Sequence, residues 1–209
     1  MKKVVAFFDF DGTLTKSDSL SRFLWYYYRS TPQIFIRKLL FLAPTLLKYC
    51  VGLSGRNIAK EKLFTVFFAH VDNKEFMAKA QSFSHSILPS LLKAEAMERL
   101  QWHQQQGHQC ILVSASIEGY LIPWAERVGF SKVLATRLEV DSAGLLTGKF
   151  FGKNCYGLEK ARRLEEYLGR LNRFEIYAYG DSRGDKELLA IADLPFYKTF
   201  TEERAYPGE

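Results

Sequence analysis

Residues 3–10 are built on an apolar run, 4–8, that ends at Asp9, and a short run of this kind predicts a buried parallel strand. From about residue 17 the apolar positions change to helical spacing. Four helices are expected, over roughly 18–30, 32–50, 55–69 and 73–87, punctuated by Ser30-Thr31-Pro32, by Gly52-Leu53-Ser54-Gly55 and by Pro89. Nothing in that stretch reads as a strand. A helix over about 90–106 closes at Gly107, a strand follows at 109–113, a helix over 118–128 closes at Gly129, and a short strand covers 132–135. Residues 137–151 alternate about a Ser-Ala-Gly turn and suggest a hairpin. A helix over 157–170, a strand at 174–179 and a helix over 184–192 complete a β-α-β alternation.

The simplest assembly is an α/β fold, a doubly wound and mostly parallel sheet made from residues 1–15 and 90–209, interrupted after its first strand by an all-helical insert over 16–89. Ligands of such sheets bind at the carboxyl ends of the strands.

Composition narrows the class. With 47% hydrophobic and 25% charged residues in 209, the chain buries a substantial core, which excludes a disordered, collagen-like or disulfide-stapled protein. Cys50, Cys110 and Cys155 are scattered and form no CxxC pair, so neither a disulfide framework nor a zinc site is indicated and a reducing, cytoplasmic setting is expected. The N-terminal apolar run reaches acidic residues by Asp9 with no small-residue cleavage site, and reads as a strand rather than a signal peptide. The formal charge is 29 − 23 = +6, but it is unevenly placed. Residues 16–90 hold eleven Lys or Arg and four acids, a net of +7, which leaves −1 for the remainder. No nucleic-acid-binding motif accompanies that charge, and no such partner is expected.

The chemistry gathers at the strand ends. The first strand runs out as Asp9-Phe10-Asp11-Gly12-Thr13-Leu14; carboxylates two apart on an extended chain point the same way, and a metal ion relieves their repulsion. Gly12 permits a backbone conformation that brings an amide close to a bound anion. After the strand at 174–179 comes Gly180-Asp181-Ser182-Arg183-Gly184-Asp185. Four carboxylates converging on one point imply a hard divalent cation, and oxygen-only ligation favours Mg²⁺, although Asp181 or Asp185 could also cap the helix that follows. The strand at 109–113 runs into Ser114-Ala115-Ser116, where a hydroxyl and the amides of a helix start can receive phosphate oxygens. Lys160 opens a helix, where a cation opposes the helix dipole and an oxyanion gives it a reason to be there.

In this order, Asp-x-Asp-Gly-Thr-Leu, Ser, Lys and Gly-Asp-Ser-x-x-Asp resemble the four motifs of the haloacid dehalogenase superfamily phosphatases, and the match spans nearly the whole chain. The resemblance implies a Rossmann-like core with a small helical cap, as in phosphoserine phosphatase and its relatives. It implies that Asp9 is a nucleophile forming an aspartyl-phosphate and that Asp11 is the general acid and then base. Mg²⁺ would be held by Asp9, the backbone carbonyl of Asp11 and Asp181, with Asp185 supporting from behind. Ser114, Ala115 and Gly12 would meet the phosphoryl oxygens with Lys160, for which Lys153 is a competing candidate. The second aspartate favours a phosphomonoesterase over a dehalogenase.

The position at which phosphoserine phosphatases carry a glutamate is Asp18 here, and the helix over 55–69 offers Arg56, Lys60 and Lys62 in place of their cap arginine, so the small phosphorylated substrate has no specific signature. Residues 34–53 are strongly apolar yet interrupted by Arg37, Lys38, Pro44 and Lys48, too short an uninterrupted run for a membrane span, which needs about 20 apolar residues. Arg37 and Lys48 fall within about 20° of each other on a helix. Two readings of this helix stand level, lying on an anionic membrane surface or packing inside the cap bundle. A basic, apolar cap on this core also resembles the phosphatidylglycerophosphate phosphatases of the same superfamily, which implies an anionic phospholipid headgroup as the alternative to a small phosphorylated metabolite.

Overall fold

The computed structural model describes residues 2–204 and 206–207; residues 1, 205, 208 and 209 of the expected core lie outside the described residues. The described strands are β1 (Lys3–Phe8), β2 (Gln109–Ile117), β3 (Lys132–Thr136), β4 (Leu138–Val140), β5 (Leu146–Phe150), β6 (Phe174–Gly180) and β7 (Leu194–Tyr197). The described helices are α1 (Ser19–Tyr28), α2 (Pro32–Cys50), α3 (Arg56–Phe68), α4 (Asn73–Ser86), α5 (Ala94–Gln105), α6 (Glu118–Arg127), α7 (Leu158–Leu168) and α8 (Lys186–Ala190). Strands β3-β2-β1-β6-β7 form one parallel sheet in that order, and β4-β5 form a separate antiparallel hairpin. The fold is the doubly wound α/β class that the alternation predicts.

Alternation along β1 sorts its side chains onto two faces. Val5 and Phe7 join Ile111, Val113, Ile176 and Ala178 in one apolar cluster. Ala6 and Phe8 belong to a second, larger cluster that continues past the sheet into the helices following β1, through Phe23, Phe64, Phe68, Phe76 and Phe83. The five described α-helices between β1 and β2 therefore share a core with one face of the sheet. Phe23 is the centre of that junction, with ring centroids 5.6 Å from Phe76 and 5.1 Å from Tyr120 of α6.

The chain leaves the sheet and returns to it at neighbouring points. Lys93 N donates to Leu14 O at 2.9 Å and Lys16 N to Leu91 O at 2.8 Å, with Thr15 bridging Leu92. The hairpin closes against the same helices: Gly148 of β5, at φ +80°, lies so close to α3 that an added Cβ would stand 2.4 Å from Thr65 Cα.

Two elements differ from expectation. Strand β2 continues to Ile117, four residues beyond its apolar run, because Ile117 resumes pairing with Thr136 after a register shift across the small residues Ser114-Ala115-Ser116. Those residues are therefore strand, and the next helix begins only at Glu118. Strand β7 has no counterpart in the sequence reading, because Pro195 argues against a strand; it is tolerated at the sheet edge.

Candidate active site

The carboxyl ends of β1, β2 and β6 meet at a cavity of about 460 Å³, whose floor carries Asp9, Ser114 and Lys160. Parallel pairing of β1 with β6 in register, closed by the Asp9 N–H donating to Tyr179 O at 2.9 Å, sets Asp9 beside Gly180-Asp181. Lys160, from the first turn of α7, is buried and donates to Oδ1 of Asp9 and Oδ1 of Asp185, both at 2.6 Å. Lys153, the competing candidate, is exposed and contributes only its carbonyl, to Arg163.

Each carboxylate has a distinct environment. Asp185 is buried, but its Oδ2 accepts from the amides of Asp181 and Ser182 and from Ser182 Oγ, so these bonds and the Lys160 charge outweigh burial and hold it below the usual carboxylate range. Asp9 shares the same ammonium without that backbone support. Burial and the neighbouring Asp185 charge push it up to about 8 against the pull of Lys160. Asp181, which accepts from Thr13 Oγ1 at 3.1 Å, is raised by burial and then by Asp185.

The sequence reading placed four carboxylates around one point. The structure gathers three, Asp9, Asp181 and Asp185, with ligand atoms all within 4.8 Å of one another. Asp11 is turned aside: it accepts from the Ser19 amide at 2.6 Å, at the start of α1, and from the hydroxyl of Ser116. Burial, followed by the charge of Asp18, raises its pKa. Ser19 Oγ in turn lies 3.0 Å from Tyr120 OH, so Asp11 ends a buried chain of hydroxyls.

Three carboxylates against one ammonium leave two negative charges on hard oxygen donors. Burial, and after it the Asp185 charge, raises the pKa of both Asp9 and Asp181. This donor set fits a divalent cation that prefers oxygen, as Mg²⁺ does.

The remaining expected residues also line the cavity, in ways their spacing did not disclose. Ser114 is buried inside β2 and its Oγ accepts from the Ser116 amide at 3.0 Å. The Ala115 carbonyl accepts from Lys60 Nζ at 2.5 Å and from Thr136 Oγ1 at 2.6 Å. Gly12, at φ +82°, donates its amide to Thr15 Oγ1 at 3.3 Å; a Cβ there would stand 2.3 Å from Asp181 Oδ2, so the missing side chain makes room for the carboxylate. Asp18 caps α1 by accepting from the Ser21 amide at 2.7 Å, and borders the cavity.

Asn154 and Lys93 escaped the sequence reading, which named Ser116, Arg56 and Lys60. Ser116 and Asn154 line the cavity, and Asn154 Oδ1 accepts from Lys60 at 2.9 Å; Lys93 stands outside the lining and donates from Nζ to Gly12 O at 2.5 Å. A lysine before a helix and an asparagine after a hairpin carry no signal in a single sequence. Lys60 enters from α3 and is pushed down to about 8, chiefly by burial. Arg56 stacks over the ring of Tyr156 at 4.5 Å, and Leu20, Leu46, Tyr49 and Leu63 supply the apolar part of the wall.

Comparison with known proteins shows the family of the chain. The family model for haloacid dehalogenase-like hydrolases matches residues 6–190. Protein CicA of Caulobacter vibrioides is 35% identical over 195 residues, covering 92% of this chain and 85% of the relative. A solved structure of a protein of unknown function from Bordetella pertussis Tohama I superposes with TM-score 0.80 at 25% identity, over 94% of this chain and 90% of that one. A phosphoserine phosphatase, solved as a phospho-aspartyl intermediate analogue, shares the fold with TM-score 0.60 at 18% identity, over 94% and 87% of the two chains. With the family model matched over most of its length, the chain belongs to the haloacid dehalogenase-like hydrolases.

Proposed function

We propose that this protein is a Mg²⁺-dependent phosphatase of phosphate monoesters, with Asp9 as nucleophile and residues 16–89 acting as a cap over a core of 1–15 and 90–209. The observation that carries this reading is the position of Lys160, buried and bonded to both Asp9 and Asp185 beside Asp181. A phosphoryl group entering the cavity meets a carboxylate, an ammonium and the Ser114 hydroxyl on one floor.

Asp9 attacks phosphorus as its carboxylate, forming the Asp9–phosphorus bond while the bond from phosphorus to the ester oxygen breaks. Asp11, whose burial favours a retained proton, gives that proton to the departing alkoxide. It then takes a proton from water, whose oxygen attacks phosphorus and releases inorganic phosphate from Asp9. Lys160 and Ser114 face the charge that develops on the transferring oxygens, and Asp185 keeps the ammonium in place. Mg²⁺, held by Asp9, Asp181 and the Asp11 carbonyl, would neutralise phosphoryl charge when bound. The organic group of the ester, a small phosphorylated metabolite, lies toward Arg56, Lys60 and the leucines of the wall, which suits an alcohol with both anionic and apolar parts.

Asp9→Asn tests the reading. Mg²⁺-dependent phosphate release from a generic ester such as p-nitrophenyl phosphate should fall to background; retained turnover would remove Asp9 as nucleophile.

A further inference from the structure

Helix α2 presents apolar side chains to solvent. Of its 19 residues only Leu42 is buried, while Leu40 is 70%, Leu47 66%, Phe41 65% and Ile36 56% exposed. On an ideal helix Ile36, Leu47 and Leu40 fall within about 40° of one another, and Arg37 and Lys48 follow at about 100° and 120° from Ile36. The outer side is therefore an apolar stripe edged by two cations.

Neighbouring elements extend the same surface. Trp25 of α1 is exposed and packs edge-on to Phe35 at 5.4 Å, Lys62 of α3 lies over the Phe41 ring at 5.7 Å, and Leu53 and Ile58 are exposed beyond the end of α2. Lys38 is used differently. It turns inward and donates to the carbonyls of Val66 and Phe67 at the end of α3, which anchors the helix and leaves its other face outward.

Residues 19–60 hold no Asp or Glu. Of their seven Lys or Arg, Lys38 turns inward and Arg56 and Lys60 line the cavity, which leaves Arg22, Arg29, Arg37 and Lys48 exposed. A second copy of the chain is a poor occupant, because a two-fold contact would set these cations against themselves with no acid in the segment to offset them. Exposed leucines and aromatics among cations match instead an interface that is anionic at its surface and apolar beneath, and no helix among the described residues is long and apolar enough to cross a membrane.

We propose that the outer face of α2 docks on an anionic lipid bilayer, lying in the headgroup plane with Ile36, Leu40 and Leu47 immersed. Leu46 and Tyr49 of the same helix line the catalytic cavity, so docking carries the cavity mouth to the bilayer surface. Resting on the phosphatase reading, the substrate class that follows is a phosphate monoester presented at a lipid surface. The docking itself is independent of that reading.

Flotation with vesicles tests it. The protein should float with phosphatidylcholine vesicles containing phosphatidylglycerol at low salt, and at least tenfold less with phosphatidylcholine alone or at high salt. Leu40→Glu with Leu47→Glu, both exposed, should cut flotation at least tenfold while p-nitrophenyl phosphate turnover and the melting temperature stay at parental values. Asp9→Asn should float as the parent does, which separates docking from catalysis. Absence of flotation with the anionic vesicles at low salt would overturn the proposal, as would undiminished flotation of the double variant. A vesicle-free dimer, seen by analytical ultracentrifugation and lost in that variant without any parental flotation, would assign the face to a second copy instead.

Discussion

Lys160 holds its ammonium 2.6 Å from Oδ1 of Asp9, with both side chains buried, and the same nitrogen reaches Asp185 at equal distance. The lysine is thus the shared counter-ion of two buried carboxylates. Lys160→Met would leave two buried carboxylates facing each other without their cation. Unfolding stability should drop by about 3–5 kcal/mol in urea denaturation, and kcat by about a hundredfold to a thousandfold. Adding Asp185→Asn should recover part of the stability and none of the turnover; equal stability of Lys160→Met and parent would contradict the pairing.

Asp181 stands apart from Lys160 but within the acidic group, and accepts only a hydroxyl among the described residues. Asp181→Asn should raise the Mg²⁺ concentration for half-maximal activity by at least about tenfold, with a smaller loss at saturating metal. An unchanged Mg²⁺ titration would take Asp181 out of the metal site.

Lys60 brings a titratable cation to the cavity wall, and its pKa of about 8 lies far below the ordinary lysine value because burial disfavours the charged form. It is protonated below pH 8 and loses its charge as pH rises through that value. The KM for an anionic phosphate ester should therefore climb above pH 8 in the parent. In Lys60→Met it should be raised already at pH 7 and lack that climb; parallel profiles in the two proteins would show that Lys60 does not meet the substrate.

Gly148 and Gly52 have nearly the same positive φ, +80° and +77°, but different surroundings. Gly52→Ala meets nothing within 4 Å and should cost only the left-handed backbone penalty of about 1–2 kcal/mol. Gly148→Ala adds a collision with the α3 backbone and should cost about 1–3 kcal/mol more, measured by urea denaturation. Equal effects would mean that α3 moves freely away from the hairpin.

The alternation of apolar runs was enough to reach the sheet and its helical interruption, because buried parallel strands and amphipathic helices write their periods directly into the chain. Strand-end chemistry was legible for the same reason: Asp9 and Asp181 follow apolar runs that end abruptly. Side-chain direction was not. Asp11 follows Asp9 by two and on an extended chain would point alongside it, yet the turn at Gly12 hands its carboxylate to Ser19 and Ser116. Lys93 and Asn154 reach the site through contacts 81 and 94 residues away along the chain, which no local pattern records. For α2, both the apolar length and the basic positions could be read, but only the fold shows which side faces outward.

The paired crossing of residues 14–16 with 91–93 also bears on how the chain finds its fold. Val5 must pair with Gln109 across more than a hundred residues, a slow search for a free chain. With the crossing formed, residues 17–90 are a loop with joined ends, whose helices still pack their aromatic core on one face of the sheet. Closure entropy rises by only about 0.6 kcal/mol for each doubling of such a loop, so the insert's length is under weak thermodynamic constraint. The outward side of α2, which takes no part in the shared core, carries the residues least tied to the strand ends beneath.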